Sequence, residues 1–225
     1  MQTRSNSRLL QIITAFASVL LAGVNPTVAE PPRQEKMVKI VFRNVIPGIS
    51  PTSFAAKPRT IYQVGTHYQR LEESANPDTG IHALVVSKQR DTWMVNLISK
   101  TGQHLVDNAD NFDVYAPVFD APFKGFDFGF ELKYMADSKV VPTNVRVGDR
   151  DLRQYEHSSG RRQIRLMITE DTGIPYAAGL FEDGRLLQMV RYLAYEANIE
   201  PDFTLFEKPL GIAFVEVDVD TATQK

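Results

Sequence analysis

Along this chain apolar residues recur at every second position far more often than at helical spacing, and turn residues interrupt them at short intervals. Val38 to Val45 is rich in branched residues and stops at Pro47-Gly48, after which Ser50 to Pro58 reads as loop. Thr60 to Val64 and His67 to Glu73 read as strands hinged at Gly65. Ile81 to Ser87 and Thr92 to Ser99 read as an antiparallel pair around Lys88 to Asp91, with Trp93, Val95 and Leu97 on one face. Asn144 to Val147, Leu152 to His157 and Gln163 to Thr169 follow as strands, the last setting Ile164, Leu166 and Ile168 against Arg165 and Met167.

The segment LFEDGRLLQMVRYLAYE, Leu180 to Glu196, fits two patterns. Leu186, Met189, Val190 and Leu193 fall at helical spacing, yet Asp183-Gly184 is the dipeptide that closes a type I′ hairpin, where both central residues need positive φ. Pro175 to Phe181 leads into that turn in strand pattern, so Arg185 to Tyr195 is taken as the partner strand, with a helix as the alternative.

Asn111 to Met135 is the most unusual stretch. In FDFGFELKYM the residues Phe126, Phe128, Phe130, Leu132 and Tyr134 occupy every second position, which predicts an extended segment with one aromatic face. Such a face is either an ordinary half-buried strand on the core or the wall of an apolar ligand cavity.

Composition changes the picture mainly by exclusion. The 225 residues are 43% hydrophobic with a net charge of −2, which gives nucleic acid no basic surface to meet. Arg4 and Arg8 lead into the apolar run Leu9 to Val24 and then Thr27-Val28-Ala29, the pattern of a signal peptide over 1–29. Its removal takes the charge to −4 and leaves an extracytoplasmic, periplasmic-type soluble chain without a transmembrane segment. There is no cysteine, so a disulfide framework, a thiol nucleophile and a lipoprotein-type acyl anchor are all excluded.

Catalytic motifs are weak. Asp-Thr-Gly occurs at Asp78 and at Asp171, as in two-lobed aspartic proteases, but Pro77 and Glu170 precede the triplets and Ile81 and Ile174 follow them, so both read as turns. His67, His82, His104 and His157 show no metal-binding spacing; His104 and Asp107 would share a surface only in a helical turn. No nucleophile elbow or phosphate loop is present. Arg70 and Glu72 are expected to form a solvated ion pair on one strand face. No catalytic residue, metal site or cofactor is nominated.

The segment from Gln163 to Phe214, with its strand, Asp-Thr-Gly-Ile-Pro turn, strand, acidic-Gly hairpin, strand ending near Asn198, Leu-Phe turn and Pro-Gly strand, resembles the closing half of periplasmic lipoprotein carriers of the LolA-like superfamily. The resemblance covers roughly a quarter of the chain. It implies a strongly curved antiparallel sheet or half-barrel whose concave side shelters acyl chains. Those carriers usually begin with an amphipathic helix, whereas Met37 to Val45 reads as strand, so Phe112 to Tyr134 is the candidate cover.

The expectations are then a mainly β (β-rich α+β) fold with few short helices, organised as 1–29 signal peptide, 30–36 Pro-rich leader, 37–219 single domain and 220–225 tail. The expected function is an exported binding module for an apolar ligand such as a lipid or acyl chain, without chemistry. Its alternatives are a cell-envelope interaction protein that binds another exported protein, and a hydrolase. Candidate lining residues are Trp93, Val95 and Leu97 from one strand, Ile164, Leu166 and Ile168 from another, and Leu187, Met189 and Leu193 from a third, with Phe126, Phe128 and Phe130 as cover. A closed core without ligand is the competing reading of the same twelve residues.

Overall fold

The computed structural model describes residues 35–50, 53–106 and 115–218. The expected signal peptide, residues 30–34 of the leader and the tail 220–225 lie outside the described residues.

Alternation dominates because most segments are strands. These are β1 (Met37–Val45), β2 (Arg59–Val64), β3 (Tyr68–Glu73), β4 (Ala83–Lys88), β5 (Asp91–Asn96), β6 (Thr101–Val106), β7 (Thr143–Val147), β8 (Arg150–Ser159), β9 (Arg162–Thr169), β10 (Pro175–Glu182), β11 (Arg185–Ile199) and β12 (Ala213–Asp218). They form one open, strongly curved sheet in the order β12-β6-β5-β4-β3-β2-β1-β11-β10-β9-β8-β7. Neighbours are antiparallel except β12, which runs parallel to β6. Two meanders, β2 to β6 and β7 to β11, are therefore joined along β1, which pairs with β2 on one side and β11 on the other.

The turn chemistry explains these joints. Asp183 and Gly184 have φ of 49° and 78°, and Glu182 pairs with Arg185, so the two-residue hairpin forms and β11 is a strand rather than a helix. Both Asp-Thr-Gly triplets lie in turns. At the second, the Asp171 side chain accepts the Thr172 N–H at 2.8 Å.

The aromatic segment departs from expectation. Residues 124–125 and 128–130 are turns, 126–127 have no regular structure, and Glu131–Asp137 forms the one α-helix among the described residues, α1. Phe126 and Phe128 nevertheless both point inward, because Gly125 and Gly129 take φ of 88° and 84° and fold the chain between the rings. The period of two came from alternating turns, not from a pleat. β6 was not anticipated; His104 lies in it, and Asp107, considered as its partner in a helical turn, lies outside the described residues.

Each face of the sheet carries its own apolar cluster. Strand alternation sends Val38, Ile40 and Phe42, Ile61, Leu71, and Ile164, Leu166 and Ile168 to one face. It sends Met37, Val64, Leu84, Val86, Trp93 and Val95 to the other, where Phe206 from the turn Phe203–Phe206 covers them. Arg70 Nε bonds Glu72 at 2.6 Å and Nη1 donates to the Leu205 carbonyl at 2.9 Å, so this ion pair also holds the cover in place.

Candidate functional site

The face bearing Ile40, Phe42 and Ile164 is covered by residues 115–140, a strap containing the turn Ala121–Phe123 and α1. Rings line its inner side. Phe128 packs 4.7 Å from Phe42, with Tyr115 at 6.1 Å and Tyr192 at 6.0 Å, while Phe123 and Tyr134 meet His157 at 5.8 and 5.6 Å. Polar ties to the sheet include Gln69 Nε2 donating to the Tyr115 carbonyl (2.8 Å) and Arg162 reaching Asp120 (3.1 Å).

One tie is chemically unusual. The Tyr192 hydroxyl donates to Glu131 Oε1 at 2.7 Å, and Glu131, at 1% exposure, is sealed between α1 and the sheet. Burial pushes its carboxyl up to about 7, against the opposing effect of the Tyr192 and backbone hydrogen bonds, with nearby Asp127 raising it further. Burial and the same carboxyl also raise Tyr192 and Tyr195 above the usual phenol range.

The strap leaves space at its margins. A cavity of about 260 Å³ lies where Gly129 and Phe130 meet Val38, Gln63 and Tyr195. A smaller one of about 90 Å³ lies between Tyr115, Phe119, Asn44 and Met189. Phe126 and Phe128 line neither cavity and are fully buried under the strap, each at 0% exposure.

The twelve candidate lining residues do not converge. Ile164, Leu166, Ile168, Phe126 and Phe128 share the strap-covered cluster, with Leu187 packed partly buried against it. Phe130 and Met189 line the two marginal cavities. Trp93 and Val95, with Leu97 at their margin, belong to the opposite face, because the alternation of β5 points them away from the strap. Leu193 is 48% exposed and lines a separate open cleft of about 780 Å³ beside β11. Sequence reasoning missed Phe42, Tyr115, Glu131 and Tyr192; Glu131 sat in the polar half of the aromatic alternation, which marked it as solvent-facing.

Among the described residues, no group of three or more His, Cys, Asp or Glu side chains is placed to hold a metal ion, and no helix is long and apolar enough to cross a membrane.

No family model and no curated protein sequence matches the chain. Among solved structures, it is similar to an uncharacterized conserved protein from Thermus thermophilus, with 11% identity over 81% of this chain and 91% of that one, TM-score 0.49. It is also similar to MucB, solved in complex with MucA(peri), at 14% identity over 81% and 57% of the two chains, TM-score 0.41. A putative outer membrane lipoprotein-sorting protein domain from Vibrio parahaemolyticus gives 8% identity over 76% and 89%, TM-score 0.35. Likenesses this distant carry no weight for function.

Proposed function

We propose that the chain is an exported binding module that takes an apolar ligand, of acyl-chain character, between the sheet and the strap. The observation that supports this reading is the strap itself. An apolar sheet face is closed by a single layer of turns and one short helix, and that layer has a buried carboxyl at its centre. A cover with only a structural role gains nothing from Glu131, since an apolar side chain of similar volume would avoid the cost of burying an acid. With the strap raised, the sites of Phe126 and Phe128 become an apolar trough running between the two marginal cavities. Each acyl methylene placed there contributes about 0.8 kcal/mol, so affinity depends on trough length and no reaction is needed.

The test is titration with an uncharged fluorescent monoacylglycerol, which does not itself ionise between pH 4 and 8. Ionising Glu131 disfavours the closed strap, so binding is expected to tighten as pH rises through about 7, and Glu131→Gln is expected to bind weakly with no such rise. Absence of binding by the wild type across that range, or an unchanged pH profile in Glu131→Gln, would overturn the reading.

A further inference from the structure

The cleft beside β11 is separate from the strap and differs from it in chemistry. Pairing between β10 and β11 ends at Ala177↔Arg191, whereas β1 continues to pair with β11 as far as Ile199. From Tyr192 onward β11 therefore overhangs its neighbour, with one side bonded to β1 and the other open along about 26 Å, taking about 3.3 Å per residue. Leu193, Ala194, Glu196 and Ala197 are exposed along this overhang. Among the described residues no turn or loop backbone bonds to it. Elsewhere a bare strand edge of this kind is a template for another strand.

Charge marks one end of the edge. Arg191 stacks on the Tyr176 ring and donates to the Tyr176 carbonyl at 2.6 Å; Arg150 approaches the same ring at 5.6 Å, and Arg43 is the cross-strand partner of Arg191. None of the three has a carboxylate within ion-pair distance among the described residues. Partial burial lowers the proton affinity of Arg191, with Tyr176 opposing and the like charges of Arg150 and Arg43 adding to the effect, so the Arg191 guanidinium is a partly buried cation beside two others. Four acids also line the cleft: Asp151 lies 3.6 Å from Arg146 and Asp171 accepts the Thr172 N–H, while Asp149 and Glu170 stand on the side of the cleft away from β11 without an ion pair among the described residues. Ile174 and Leu193, both exposed, supply apolar ground between the two walls.

We infer that this cleft receives an extended peptide segment of a partner protein, which adds as a strand to the open edge of β11 and places one carboxylate among Arg43, Arg150 and Arg191. Main-chain bonds hold the segment, and the arginines select its charge and register. A run of carboxylates would meet the acidic outer wall, so the partner segment carries one acid among neutral residues. The cleft shares Tyr192 and Tyr195 with the strap-covered face, but none of the three arginines lines a cavity at the strap's margins.

Fluorescence anisotropy of the full chain with a labelled Thr-Val-Thr-Glu-Thr-Val-Thr peptide tests the inference. Binding is expected to be at least about tenfold tighter than for the same peptide with a central Lys. It should be lost when alternate peptide amides are N-methylated on the edge-facing side. Arg150 is exposed, so Arg150→Glu is expected to leave the unfolding midpoint unchanged and to reverse the preference towards Lys. Equal binding of the two peptides, no binding of either, or equal binding of the methylated peptide overturns the proposal. So does a preference for anionic phosphatidylglycerol vesicles over the peptide. Monoacylglycerol titration, read separately, reports only on the strap, so failure at one site is not mistaken for failure at the other.

Discussion

Glu131 shows how much one side chain can change in a packed face. Because its carboxyl is raised from 4.5 to about 7 in the fold, the folded chain holds a proton that the unfolded chain gives up. Its contribution is fully present below pH 4.5 and is lost as pH rises through about 7, a difference of about 3 kcal/mol. Urea midpoints of the wild type are expected to fall over that window, while Glu131→Gln, which keeps an acceptor for Tyr192, flattens the curve and is the more stable protein at pH 8. An identical pH slope in both would contradict this account. Phe128 is the complementary case. Its ring is fully packed against Phe42, so Phe128→Ala is expected to cost about 3 to 5 kcal/mol in denaturant unfolding. The spacing set Phe126 and Phe128 on one apolar face but set Leu132 there equally, and Leu132 is exposed, so their burial followed from the turns and not from the period of two. The burial of Glu131 was not legible either, because an acid next to buried rings reads as solvent-facing until turn geometry is known.

Among the elements, strands with turn residues at both ends were the easiest to read. Asp183-Gly184 decided β11 correctly, and Lys88 to Asp91 did the same for β4 and β5, where Lys88 pairs with Asp91. β6 was missed because Thr101–Val106 is half polar and gains its burial only when β12 lies against it. His104 joins the three strands there, with ring nitrogens 2.7 Å from Asp91 and 2.6 Å from Glu216. His104→Ala is expected to lower stability by only about 1 kcal/mol, since both acids are largely exposed, but to speed amide exchange over 213–218. Unchanged exchange there would assign the holding of β12 to its ladder alone. In the strap, a Cβ on Gly129 would lie 2.8 Å from Val38 Cγ1, at a φ of 84° that side chains resist. Gly129→Ala is therefore expected to cost about 2 kcal/mol and to loosen the strap, raising monoacylglycerol affinity; unaltered stability would refute that geometry.

In the whole molecule, β1 is both the first of the described strands and the seam between two meanders. The meanders were readable because each is a run of local pairings. The seam was not, since nothing in MVKIVFRNV names Arg185–Ile199 as its partner. Bringing Met37 to Ile199 costs on the order of 4 kcal/mol of chain entropy before any contact repays it. In pulse-labelled refolding, the amides of β1 that face β11 are therefore expected to gain protection no earlier than the slowest pairing within either meander. That seam also sets a timetable. Ribosomes deliver β1 long before β11, so a newborn chain carries MVKIVFRNV as a half-paired ribbon for most of its emergence.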